Sequence, residues 1–405
     1  MLRIKFAILC LAGSIGCYAQ QSAVKEADHI LSSAKPDFAA ALKAVKPALE
    51  HEDTKTSAEA WYYAGKASLG LWDRMLLDIS LGQEVKNERK KECGHYLIDS
   101  YEYFRKSLMF DSLPNEKGKI KPKYSKDILN LEAKNYRAFR NAGIFLYDVR
   151  DLQGAYDAWE IYVSLPSTLK RQKKNVKADS QTELGQIYYY QALCAMSTNH
   201  MRNAIDKFVE ARMTGFSNKD LYLYGMEASR REKADSMMLD FARLGCELYG
   251  DKEVSFALVL INDYLKRRDY ETCQALAEKA LAVDSDDKVK SQLYDVMGVI
   301  CDSEGDFEGA LANFQKAVVY DPNSAKAYFD LARVIYNASL KVAESGGEES
   351  EANAAPGLEK AAEYFEKAYS LNPSMSQIPE TLYGIYYRLG VGYEAKATEW
   401  EKRQK

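Results

Sequence analysis

The chain has 405 residues, 47% of them hydrophobic and 28% charged, with only 9 prolines. That composition provides for a large buried core and excludes a disordered chain. The formal net charge is −4. At the N-terminus, Arg3 and Lys5 precede the apolar run FAILCLAGSIG, which is too short to span a bilayer. Cys17-Tyr18-Ala19 then places small residues at the two positions a signal peptidase reads, so a leader over 1–19 is expected, cleaved after Ala19. Removing Arg3 and Lys5 with it takes the formal charge from −4 to −6. Cys17 also admits a second reading, as the lipidated cysteine of a lipoprotein signal after Gly16, although Ser14 stands where such signals usually carry an aliphatic residue. No later segment is apolar enough to span a membrane.

Beyond the leader, small and aromatic residues recur at helical spacing. DFAAALKAVKPALE (37–50) ends a first, degenerate helical pair. Trp61, Ala64 and Gly65 open a second pair, whose Phe104 arrives only after the insertion 73–100, expected to lengthen both helices. After a basic connection, NEKGKIKPKYSK (115–126), come Phe139, Ala142, Gly143 and Leu146, followed by Ala155, Trp159 and Tyr162. A second basic connection, LKRQKKNVKADS (169–180), precedes Tyr188, Ala192 and Ala195, then Ala204, Phe208 and Ala211. Weaker copies run from Tyr222 to Gly245 and from Leu260 to Ala280. The clearest copy is Tyr294, Met297, Gly298 and Cys301, a polar turn at Glu304-Gly305-Asp306, then Ala310, Phe314 and Ala317, stopped by Asp321-Pro322. Tyr328 and Leu331 open a further copy, whose Ala361, Phe365, Ala368 and Pro373 follow ESGGEESEANAAPG (344–357), an acidic, Gly-rich stretch read as a flexible loop. LYGIYYRLG and YEAKATEWEKRQK then form a terminal cap from about Gln377, with Tyr393, Ala397 and Trp400 on one stripe.

In register, these residues resemble the tetratricopeptide repeat, whose 34-residue helix-turn-helix unit carries W-x2-L-G-x2-Y, A-x3-F and P. Here the clearest copy departs from the pattern at Met297 and Cys301. The resemblance implies an all-α fold over 20–405: a right-handed α-solenoid of seven or eight helical pairs, used as a non-catalytic scaffold. It also implies that the first helix of each unit lines a concave groove. The residues projecting there are Tyr62, Tyr63 and Lys66; Arg137, Arg140 and Asn141; Tyr189 and Tyr190; Tyr224, Glu227 and Arg230; Asn262; and Asp330 and Arg333. Aromatics interspersed with arginine are the composition of interface hot spots. The other reading of these tyrosines is that several pack against the insertions. The Lys and Asn residues with which other family members clamp a terminal carboxylate have no complete counterpart.

Little else points to chemistry. His29, His51, His95 and His200 are scattered, without zinc-ligand spacing, and there is no phosphate loop or G-x-S-x-G elbow. No cofactor, metal or catalytic group is therefore assigned. Cys93, Cys194, Cys246, Cys273 and Cys301 survive leader removal and read as buried free thiols. The basic connections read as solvated loops on one edge of the array, or as a site for an anionic partner. The expected function is an exported, non-catalytic adaptor of the bacterial envelope, periplasmic or outer-membrane associated, that binds protein partners through its concave surface. The alternative is a carrier of small molecules or glycans, using tyrosine rings to stack sugars. Export argues against nucleic acid as a partner, and membrane association is expected only through lipidation at Cys17 or an envelope complex.

Overall fold

The computed structural model describes residues 21–115, 117–177, 179–283, 286–345 and 348–404. The expected leader, with Cys17, lies outside them. All regular secondary structure among the described residues is helical. Two units divide the chain, the first ending at Ala234 and the second running from Asp235 to Lys405.

The first unit contains α1 (21–31), α2 (Phe38–Glu50), α3 (Ala58–Ser80), α4 (Asn87–Asp111), α5 (Ser125–Asn135), α6 (Ala138–Asp148), α7 (Leu152–Arg171), α8 (Gln181–Ser197), α9 (Met201–Met213) and α10 (Lys219–Arg231). The second contains α11 (Asp235–Tyr249), α12 (Ser255–Arg267), α13 (Tyr270–Leu281), α14 (Asp287–Glu304), α15 (Phe307–Tyr320), α16 (Ala325–Glu344), α17 (Glu348–Leu371), α18 (Gln377–Leu389) and α19 (Glu394–Lys402). Hairpins α3/α4, α6/α7 and α8/α9 stack in the first unit, and α12/α13, α14/α15, α16/α17 and α18/α19 in the second. The fold is all-α, an α-solenoid of stacked helix-turn-helix units.

Local chemistry explains the repeat boundaries. Asp286 caps α14 by accepting from the Val289 amide, and Asp306 caps α15 by accepting from Gly309. Between them Gly305 ends α14 at φ 82°, the left-handed conformation that a glycine adopts without a Cβ clash. Inside the hairpin, a Cβ built on Gly298 would lie 2.7 Å from the Phe314 ring. Gly65 stands in the same relation to Phe104, and Gly143 to Trp159. The small residue of each first helix is thus the seat for the aromatic of the second, and that contact is what the spacing encodes.

The insertion 73–100 lengthens α3 and α4, as its pattern predicts. Two segments differ from expectation. The stretch 344–357, read as a loop, is mostly the start of α17, because Ala354 and Leu358 extend the buried stripe of Ala361, Ala362 and Phe365 by two more turns. Helix α5 follows the first basic connection and has no counterpart in the sequence reading. It is fixed by the Asp111 carboxylate, which accepts from the amides of Lys123 (2.8 Å), Tyr124 (2.9 Å) and Ser125 (2.8 Å) and from the Ser125 hydroxyl (2.6 Å). The five cysteines are free. Burial pushes the Cys93 thiol up to about 11 and that of Cys194 up to about 12, the behaviour of inert core residues.

Candidate functional site

The residues nominated from the first helices separate into buried and open sets. Tyr62, Tyr63 and Tyr189 are buried, with Tyr62 only 8% exposed, and so cannot offer rings to a ligand. The physical reason is the insertion that follows α4. Tyr124 enters from it, with ring centroids 4.7 Å from Tyr62 and 6.5 Å from Tyr63. Its hydroxyl donates to Glu59 at 2.7 Å, while the Tyr62 hydroxyl donates to Asp127. Burial, reinforced by these carboxylates, holds the Tyr62 and Tyr124 phenols far above their ordinary range. Lys66 lies over the Tyr62 ring, 5.3 Å from its centroid. Tyr189 packs between Phe208 and Phe216, and burial pushes it up to about 12. Tyr190 is half-buried against Tyr147 and Trp159.

Several charged nominees are committed to internal pairs. Arg137 bonds Asp179 at 2.6 Å and the Tyr136 hydroxyl at 2.9 Å. Arg140 is different: it is half-buried and its backbone carbonyl accepts from the Trp159 indole at 3.2 Å, while its buried Nε has no hydrogen-bond partner. Arg230 pairs with Glu227 at 2.7 Å. Asp330 is buried between Lys326 (2.8 Å) and Arg333 (3.3 Å). Asn141, Tyr224 and Asn262 remain exposed, Tyr224 at 40%.

The Asp330 contacts belong to a larger charge lattice between α14 and α16. Lys326 also bonds Asp295, and Arg333 reaches Asp302 at 2.7 Å. Burial pushes the Asp295 carboxyl up to about 6 despite its lysine, and its second oxygen, Oδ1, has no hydrogen-bond partner. The carboxylates outweigh burial at Lys326 and Arg333 and raise both. Sequence reasoning missed Asp295, Asp302 and Lys326. The i, i+4 spacing of Lys326 and Asp330 was the available signal.

Open concavities lie elsewhere, between successive second helices. One of about 800 Å³ sits in the second unit among α11, α12 and α13. Its floor is Ala257, Leu260 and Tyr264, its walls include Cys246 and Leu276, and Arg243, Glu247 and Lys279 ring it. A second, of about 700 Å³, lies in the first unit among α2, α3 and α4, where the Lys106 ammonium stands 4.1 Å from the Trp61 ring centroid. A third, of about 440 Å³, lies among α15, α16 and α17. These grooves have no one-dimensional signature, because helices that are not neighbours in sequence form their walls. Among the described residues no group of three or more His, Cys, Asp or Glu is placed to hold a metal ion, and no helix is long and apolar enough to cross a membrane.

A family model described as TPR repeat matches residues 300–338, the end of α14 through most of α16. This segment is thus similar to a tetratricopeptide repeat. No curated protein matches the chain. Solved structures similar to it include the C-terminal part of a TPR repeat-containing protein from Cytophaga hutchinsonii, with 15% identity over 66% of this chain and 93% of that one and a TM-score of 0.42. PilW, a type IV pilus biogenesis factor, shows 19% identity over 54% of this chain and 91% of its own, with a TM-score of 0.38. MamA shows 16% identity over 46% and 89%, with a TM-score of 0.35. Helical scaffolds of the tetratricopeptide class generally bind protein partners and are generally non-catalytic.

Proposed function

We propose that the protein is an exported, non-catalytic adaptor of the bacterial envelope that holds a segment of a protein partner. The observation that carries this reading is the groove among α11, α12 and α13. An apolar floor of Leu260, Ala257 and the Tyr264 ring, surrounded by Arg243, Glu247 and Lys279, is the anatomy of a docking surface, with a desolvated centre and a charged rim. Asn262, open on α12, gives a further contact point in the same unit. The leader read over 1–19 supplies the location. The carrier reading loses its main support, since Tyr62, Tyr63 and Tyr189 have no free ring face. The test is affinity purification from envelope extracts with the parent chain and with Leu276→Glu, which puts a charge on the groove wall. A stoichiometric protein recovered with the parent and lost with the variant, at unchanged helix content, is expected. Equal recovery with both, or no stoichiometric protein with either, removes the reading.

A further inference from the structure

The two basic connections have no part in that groove. NEKGKIKPKYSK (115–126) and LKRQKKNVKADS (169–180) are distant in sequence, yet both are tied to α5. The first runs into its N-terminus, clasped by Asp111. The second lies along it. Lys174 Nζ donates to Asn130 Oδ1 at 2.6 Å, and the hydroxyl of Tyr136, the residue after α5, donates to the Lys177 carbonyl. Lys126, Asn130 and Lys134 fall at i, i+4 and i+8 and are all exposed, forming the outward stripe of α5. With Lys174 seated on Asn130, that stripe carries three ammonium groups.

On the two connections themselves Lys117, Lys119, Lys121, Lys170, Arg171, Lys173 and Lys177 are exposed as well. Among the described residues few acids offset them: Glu132 is buried with Arg105 and Asp179 pairs with Arg137, while Asp127, which accepts from Tyr62, keeps a single negative charge beside Lys126. Asp73 of α3 lies near Lys134, and Lys123 is taken by Glu59. The result is a concentrated cationic surface on a chain whose net charge is −4. Its charges are almost all lysines, hydrated point charges without the guanidinium fork that recognises a shaped carboxylate site. They suit a diffuse negative field. Ile120, 61% exposed, stands between Lys119 and Lys121 as an apolar point among them. Lysines around an exposed aliphatic residue are the arrangement of a segment that lies on an anionic bilayer. We infer that the α5 surface binds the anionic headgroups of a lipid membrane, holding the first unit against it whether or not Cys17 carries a lipid.

The experiment is co-sedimentation of the full-length protein with vesicles of phosphatidylcholine, alone or with about 30% phosphatidylglycerol, a composition that sets up a negative surface potential. The comparison protein carries Lys119→Gln, Lys121→Gln, Lys126→Gln and Lys134→Gln, all at exposed positions. Each lysine near such a surface contributes about a five-fold affinity change, so the quadruple variant should bind at least about a hundred-fold more weakly. Arginine at the same four positions should retain binding, and parent binding should fall as NaCl rises from about 50 to about 300 mM. Equal binding of parent and glutamine variant to phosphatidylglycerol vesicles overturns the inference. So does equal binding to phosphatidylcholine alone, which removes any dependence on headgroup charge. Preference for soluble poly-glutamate over vesicles at equal charge also overturns it, in favour of an acidic protein partner.

Discussion

A side chain at Gly298 has nowhere to go. Its Cβ alone would stand 2.7 Å from the Phe314 ring, and Phe314 is fully buried. Gly298→Leu should therefore force the α14/α15 hairpin apart and cost about 1–3 kcal/mol, measured as a shift of the denaturant midpoint; an unchanged midpoint would refute the packing described. This contact was legible in the sequence, because the same small-to-aromatic spacing recurs from Gly143 to Trp159. The burial of Tyr62 was legible only as the alternative reading, that several of these tyrosines pack against insertions, because its partners Tyr124 and Asp127 lie far along the chain. Asp295 gives a second residue-scale prediction. Its folded carboxyl is raised to about 6 by burial, so the folded state holds this proton more tightly than the unfolded chain does. The stability it contributes is complete below the ordinary carboxylate range, near pH 4, and is lost as pH rises through about 6. Melting temperatures of the parent relative to Asp295→Asn should accordingly decline between pH 4 and pH 7; a flat difference would contradict the burial.

Among the elements, α5 and the first turns of α17 are what the sequence concealed, for different physical reasons. In α17, glycine and acidic residues upstream masked Ala354 and Leu358, whose apolar stripe decides the conformation. In α5 a buried position is filled by Glu132, which is neutralised by Arg105 and so breaks the apolar periodicity by which helices are recognised. The polar turn Glu304-Gly305-Asp306, in contrast, was readable, and Asp306 caps α15 there. The device that holds α5 is Asp111. Burial alone would raise its carboxyl, but the Ser125 hydroxyl and the Lys123, Ser125 and Tyr124 amides hold it below the usual range. Asp111→Ala strips three amides of their acceptor, an effect on the order of 1–3 kcal/mol. Limited proteolysis should then cut between 112 and 124 faster than in the parent while the other connections resist; equal cleavage would show that the clasp does not hold this segment.

On the scale of the molecule, a stacked array needs something polar over its last apolar face, and in the second unit α18 and α19 meet that need. Helix α18 stops at Gly390, with φ 72°, and α19 returns with Ala397 and Trp400 buried. Trp400 packs edge-on to Tyr369 of α17, ring centroids 5.2 Å apart, while Lys396 holds Glu366 at 3.2 Å and the Tyr393 hydroxyl donates to Glu359 at 2.6 Å. The outer face of α19 is Glu394, Glu399, Glu401 and Lys402, all exposed. A chain ending at Gly390 loses Trp400 and Ala397 together and bares Tyr369 and the Tyr386 ring, which now stacks 5.7 Å from Tyr393. Tyr387 of α18 is already 72% exposed, so the truncation adds to apolar surface that the parent shows. The truncated protein should therefore self-associate at concentrations where the parent is monodisperse, with its helix content reduced by little more than α19. Light scattering reads the association and circular dichroism the helix content. A truncated protein that stays monodisperse and melts with the parent would show that α19 is not a cover for this face, and would leave Trp400 as a residue for a partner to bind.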